Sequence, residues 1–232
     1  MRLIHHIVVA VVLLFGLFLE RSLTMCSAAP DIYLGGGHFS GFYVRPTPPD
    51  PCANVAVGDP CTNGVLYGGS GFTGLGSYKY MTTPEDCAPF VNNFTGFTPN
   101  CTSALENLIK WAANNNFPSA SNVSTGVTST TAGASNTTTL ATMYMDTDAA
   151  RYCENMTYPP GGYTDWYLPS KDELHLVLYP MKLAGKGNFT TFWYWSSTES
   201  DPTGAYGEHF NIGDQAGGSK TASWYVRCVR RY

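Results

Sequence analysis

The stretch GGYTDWYLPSKDEL, residues 161–174, holds the strongest local signal in the chain. Ser170 and Glu173 stand at the spacing of a capping box, directly after Pro169. Beyond them Leu174, Val177, Leu178 and Met181 recur at i, i+3, i+4 and i+7, and Gly185 supplies the stop. The spacing therefore predicts an amphipathic helix with a large aromatic, Trp166, just ahead of its first turn. An indole placed there is expected to fill the core and fix the entry angle of the helix. Downstream the pattern changes from helical to alternating. Strands are expected at 192–196, 205–210 and 224–229, the last alternating Trp224, Val226 and Cys228 against Tyr225, Arg227 and Val229, with 213–219 as a turn. Helices followed by a block of strands read as an α+β domain.

Upstream, Asp146 or Asp148 can cap a second helix running through Ala149, Ala150, Tyr152, Cys153 and Met156, with Cys153 on its apolar side. Ser103 and Glu106 suggest another capping box. With Leu105, Leu108, Ile109 and Ala112 on one face, they predict a helix from about 104 to 113. Short β-like runs occur at Val65–Tyr67 and Tyr78–Met81. Between Ser119 and Thr142 the chain is almost wholly Ser, Thr, Ala, Gly and Asn, a composition expected to form a long surface loop. Residues 29–60 contain Gly35-Gly36-Gly37 and many prolines, and read as an extended leader before a domain at 61–232. The triple glycine lacks the G-x-G-x-x-G spacing of a dinucleotide site.

Of the 232 residues 44% are hydrophobic and 13% charged, about half the usual charged share of soluble domains, which excludes coiled coils and charge-rich disorder. With 13 Lys and Arg against 17 Asp and Glu, no basic field exists to hold a nucleic-acid backbone. The first residues, Arg2, His5 and His6, the apolar run Ile7–Leu19, and small residues around Ala28, read as a signal peptide over 1–28. That run falls short of the about 20 residues a membrane span needs, and no later segment reaches that length. A secreted or cell-surface protein is expected, with the periplasm a further location. Removal of the signal leaves Cys52, Cys61, Cys87, Cys101, Cys153 and Cys228, an even set that points to disulfides in an oxidising compartment. Local pairs Cys52–Cys61 and Cys87–Cys101 are the simplest arrangement, and no C-x-x-C pair suggests a metal. Glycosylation sequons occur at Asn93, Asn100, Asn122, Asn136, Asn155 and Asn188.

Three segments in order, GGYTDWYLPSKDEL at 161–174, YWSSTES at 194–200 and WYVRCVRRY at 224–232, resemble the bacterial family typified by the C-terminal domain of the Legionella collagen-like adhesin. DAARYCENM at 148–156 is similar to it as well. The resemblance implies a C-type-lectin-like fold, with two or three helices packed on small twisted antiparallel sheets, long irregular loops, and chain ends that return to one another. It also implies a disulfide between Cys153 and Cys228, adhesion to a glycan or protein on a cell surface, and a homotrimer. The end of the chain, GDQAGGSKTASWYVRCVRRY, also resembles lectin-fold proteins diversified by retroelements. By position the variable residues there would be Asp214, Ala216, Gly217, Gly218, Ser219, Thr221, Ala222, Ser223, Trp224 and Tyr225.

No catalytic constellation appears. His38, His175 and His209 are scattered, Ser170 serves better as a cap than as a nucleophile, and neither H-E-x-x-H nor G-x-S-x-G occurs. Formylglycine-generating enzymes resemble lectins in architecture and form the enzyme rival, but Cys153 and Cys228 fit a structural bridge better. The expected function is therefore ligand binding without catalysis. The candidate contacts are Glu199, Asp201, Tyr206, Glu208, His209, Asp214, Gln215, Lys220, Trp224 and Tyr225, aromatic and hydrogen-bonding groups concentrated near the C-terminus. No cofactor is expected. Calcium is a secondary idea resting on the four carboxylates in that set, although the E-P-N, Q-P-D and W-N-D motifs of sugar-binding lectins are missing.

Overall fold

A computed structural model describes residues 49–86, 108–113, 119–159 and 162–232. The signal peptide, most of the leader, the Ser103–Glu106 capping box and the proposed Cys87–Cys101 pair lie outside the described residues. The described residues fall within one compact unit. Residues 50–60 are part of the body. Cys52 is bonded to Cys61, the Gly58 N–H donates to the Tyr67 carbonyl at 2.7 Å, and Asp59 pairs with Lys186 at 2.6 Å.

Two sheets organise the unit. The smaller has the order β1 (Leu66–Ser70), β2 (Lys79–Thr82), β8 (Val229–Arg231), all antiparallel. The larger has the order β3 (Leu108–Lys110), β7 (Ser223–Tyr225), β4 (Trp193–Asp201), β5 (Gly204–His209), β6 (Asp214–Ser219). It is antiparallel except for one parallel pairing, Tyr194 with Tyr225. Three helical segments pack on these sheets: α1 (Gly133–Met143), α2 (Asp148–Glu154) and α3. The last is a continuous rod of an α turn Lys171–Glu173, a π-helical stretch Leu174–Leu178 and a closing α segment Tyr179–Leu183. The result is the expected α+β architecture. Asp50 and the C-terminal Tyr232 also meet, the phenol donating to the carboxylate at 2.6 Å.

Helix α3 begins as its sequence requires. The Ser170 hydroxyl accepts from the Glu173 N–H, and the Glu173 carboxylate accepts from the Ser170 N–H at 2.8 Å. Its apolar stripe, Leu174, Val177, Leu178 and Met181, joins Tyr80, Tyr167, Tyr194, Phe210 and Val229 in one core. The other core gathers Trp111, Leu140, Tyr152, Cys153, Met156, Trp166, Trp195, Val226 and Cys228. Adjacent residues of β4, Tyr194 and Trp195, feed opposite cores because side chains alternate across a strand. The Cys153–Cys228 disulfide staples α2 to the segment between β7 and β8.

Four local expectations are corrected. Residues 133–142 are not loop but helix. Although Thr and Asn are weak helix formers, Thr137 exchanges two hydrogen bonds with the backbone of Leu168, and the Asn136 amide donates to the Ser129 carbonyl at 2.8 Å. Gly133 leaves room for this contact, since a Cβ there would lie 2.5 Å from the Ser170 nitrogen. Residues 108–110 form a strand rather than a helix because they pair with β7, which leaves Trp111 buried beneath the sheet. The expected strand 224–229 is two strands in different sheets. The Arg227 side chain between them turns inward to Asp86, 2.8 Å from Nε to Oδ1, and donates to the Thr83 and Gly187 carbonyls. Residues 214–219 are an edge strand, not a turn, paired with β5 in unbroken register.

Candidate functional site

The candidate contacts separate into three places. Glu199 and Lys220 are in the interior, 3% and 0% exposed, with their charges 2.6 Å apart. Burial alone would push the Glu199 carboxyl up, but the Lys220 ammonium and the N–H groups of Thr125 and Gly126 outweigh it and hold the group below its ordinary value. These two residues are therefore not solvent-facing contacts, contrary to expectation. Asp201 ends β4, and its carboxylate caps the β4–β5 turn by accepting from the N–H and hydroxyl of Thr203, both at 2.8 Å. Those bonds lower its pKa.

A second group occupies the sheet face toward α3. Glu208 is fully buried yet reaches His175 Nδ1 at 2.9 Å, and Gln215 donates to it at 3.2 Å. Burial raises the Glu208 carboxyl, while the His175 and Gln215 bonds act against that rise. The Gln215 amide also donates to the Lys171 carbonyl at 2.7 Å, and the Lys171 ammonium sits 5.4 Å from the Tyr206 ring centroid. Glu208 and Gln215 thus anchor the N-terminal turn of α3 to β5 and β6.

The third group is aromatic and lies on the opposite face. Trp224, half-buried, stacks on Trp195 with centroids 3.8 Å apart and on the half-buried Trp193 at 4.9 Å. His209 stands edge-on to Trp193 at 5.1 Å, and its Nδ1 finds no hydrogen-bond partner among the described residues. The Trp224 ring crosses β5 and β6 where those strands carry no side chain. A Cβ at Gly207 would come within 2.5 Å of the indole, and one at Gly218 would overlap it. Exposed Asp214 and Ala216 continue this face of β6. Around the corner Tyr225 stacks on Phe192 at 6.2 Å, and Phe192 and Ile212 are exposed at 59% and 58%. The site is thus an aromatic shelf laid over side-chain-free positions of β5 and β6, bordered by exposed apolar groups.

Trp193, Phe192, Ile212 and Lys171 were missing from the sequence-derived set. The available signal was Trp193 and Trp195 two residues apart on one strand face, where a single core has to bury both or leave one at the rim. The four carboxylates proposed for calcium do not converge: Glu199 faces Lys220, Asp201 closes a turn, Glu208 faces His175 and Asp214 opens β6. Among the described residues no group of three or more His, Cys, Asp or Glu is placed to hold a metal ion, and no helix is long and apolar enough to cross a membrane. The sequon at Asn136 is occupied internally, its amide donating to Ser129 and Ser197.

The arginines near the C-terminus, and Lys79 on the neighbouring strand β2, are also committed within the fold. Arg227 pairs with Asp86, Arg230 makes a two-pronged pair with Asp165 at 2.7 and 2.8 Å, and Lys79 pairs with Asp50. Comparison with individually curated proteins gave no match. Comparison with family models matched residues 100–230, a span that takes in α1 to α3, all of the larger sheet and the aromatic shelf, to the Lcl C-terminal domain. With more than half of its length matched to that adhesin-associated model, the chain belongs to the Lcl C-terminal domain family.

Proposed function

We propose that this protein is an exported recognition domain that binds a glycan or protein on a cell surface and catalyses no reaction. The observation that carries this reading is the partly exposed Trp193–Trp224 stack, seated over the side-chain-free positions Gly207 and Gly218. An aromatic plane held rigid by its packing on bare backbone suits a flat apolar ligand face or an aromatic anchor from a partner. The committed state of Arg227, Arg230 and Lys79 favours a neutral or weakly charged ligand over a sulfated polyanion. The non-catalytic reading is supported by Cys153 and Cys228, which are bonded to each other in the core and offer no thiol for oxidation chemistry.

A glycan and cell-surface protein array probed with the purified chain tests the proposal. Binding that falls on Trp224→Ala and Trp193→Ala, with retained folding, is the expected outcome. Binding unaffected by both changes would move the site elsewhere, and oxidation of a cysteine-containing peptide lost on Cys153→Ser would favour the enzyme reading. A second reading, diversification of the C-terminal face, draws on the exposure of Asp214, Ala216, Gly217, Ser219, Thr221 and Ser223 on β6, the turn after it and the start of β7. Gly218 is the position on that face that cannot vary without moving Trp224. A near-copy of this coding region beside a reverse transcriptase gene is the observation that would establish it.

A further inference from the structure

Lys220, directly after β6, directs its side chain into the body of the domain, where it is fully buried. Its ammonium nitrogen lies 2.6 Å from a Glu199 carboxylate oxygen, 2.9 Å from the Pro202 carbonyl, and 3.0 Å from each of the Ala120 and Val123 carbonyls. The Trp111 ring covers another side, 4.9 Å away at its centroid. An ammonium has three N–H groups, so four close oxygens surround it as they would a small cation rather than as partners of single directed bonds.

The oxygens come from segments distant in sequence. Two belong to the stretch 120–123, one to the end of β4 and one to the β4–β5 turn. The anion of the pair grips the same stretch from its other side. Glu199 accepts from the N–H of Thr125 at 2.9 and 3.0 Å, from Gly126 at 3.0 Å and from the Ser124 hydroxyl at 3.1 Å. Residues 122–124 and 126 are exposed and contribute little to the core, so the stretch has few apolar anchors beyond Ala120 and Val127. Its order rests on carbonyls turned to a cation and amides turned to an anion.

We infer that Lys220 is a built-in cation: its ammonium occupies an oxygen cage that clamps residues 120–126 onto β4 and the β4–β5 turn, the ordering work that a bound metal ion does in other loop-rich domains. The cage without its lysine is a site for a small primary alkylammonium ion. This inference is independent of the aromatic shelf and of any ligand bound there.

Hydrogen exchange on the full chain tests it, with the amides of Thr125 and Gly126 as reporters and those of Tyr194 and Trp195 as the global control. In the natural chain EDTA should leave the reporters unchanged. In Lys220→Ala their exchange should accelerate by at least about 100-fold, the loss of one or two charge-assisted hydrogen bonds. Propylammonium, which replaces the deleted atoms, should restore protection, whereas propanol should not. Because Lys220→Ala leaves Glu199 buried and unpaired, the neutral pair Lys220→Met with Glu199→Gln serves as the second variant. It should keep the control amides protected while releasing the reporters. Opening of the reporters by EDTA, full protection in the neutral pair, or rescue by propanol as good as by propylammonium would each overturn the inference.

Discussion

The tryptophans of the larger sheet divide into two regions that differ in burial rather than in chemistry. Trp195 and its neighbours Trp111 and Trp166 are sealed, each at most 1% exposed, and each indole N–H has a carbonyl partner: Ile109 at 2.9 Å, Ser196 at 2.9 Å, and Tyr158 and Tyr163 at 3.0 and 3.1 Å. Trp193 and Trp224 sit at the rim of the same strands, stacked on one another and partly exposed to water. A stack that remains partly exposed loses stabilisation it would gain by deeper burial, since each apolar Å² left wet forgoes about 25 cal/mol. The sealed set therefore reads as structural and the rim as available for recognition. Trp224 belongs partly to both, because it also covers Trp195.

The largest expected effect falls on the sealed set. Trp166→Ala and Trp195→Ala should each lower stability by about 3–5 kcal/mol in denaturant unfolding, from lost burial and the cavity left behind. If Trp193→Ala costs as much, the division between core and rim fails. Binding gives the next test. Once the array has identified a ligand, Trp193→Ala and Trp224→Ala should each weaken it by about 2 kcal/mol or more, with Trp224→Ala also losing some stability. Equal binding by both variants would leave the shelf a purely structural feature.

Gly218 sharpens the comparison without touching a tryptophan. Gly218→Val should cost about 1–3 kcal/mol and shift Trp224 emission to the red, because the new side chain overlaps the indole. Ala216→Val, two residues away and exposed, should stay within about 0.5 kcal/mol. The smallest effect concerns the polar end of the core that holds the sealed tryptophans. Burial and the neighbouring Asp146 raise the Asp148 carboxyl to about 6. The folded protein then keeps this proton where the unfolded chain, with a value of about 3.9, has lost it. Stability contributed by this group is present below about pH 4 and is lost as pH rises to about 6. Asp148→Asn should flatten that slope by at most about 1 kcal/mol, the side chain being partly exposed to water. A carboxyl carbon titrating near 4 in NMR would show that this end is wetter than the tryptophan burial indicates.

Legibility in the sequence followed the range of the forces involved. The capping box of Ser170 and Glu173 and the stripe from Leu174 to Met181 are local, and α3 forms where they place it. Their reach was underestimated nonetheless. The same Glu173 carboxylate also receives the Tyr167 hydroxyl at 2.9 Å, with Arg231 at 3.8 Å, and so ties the cap to the smaller sheet. Helix α1 was illegible because its stabilising partners, Leu168 and Ser129, are outside the helix itself. The Leu105–Ala112 pattern satisfies a helical period, yet 108–110 pair with a strand more than a hundred residues away. Within the candidate site, Trp224 and His209 were legible as aromatic groups on an alternating strand. Lys220 and Glu199 were not, because a Lys and a Glu near a turn look the same in sequence whether they face water or each other.

The sequence by itself determined the α+β class, the position of α3, the aromatic character of the C-terminal strands and the family, since each depends on residue type and spacing over a few turns or pairs. Only the tertiary structure decided which tryptophans are sealed, that the glycine-rich 214–219 stretch is an edge strand beneath Trp224, and that Lys220 points inward. The physical reason is common to all three. A side chain's exposure and partners are set by the segments that pack against it, and those segments, from 108–113 to 120–126, reach the C-terminal strands only when the chain has folded.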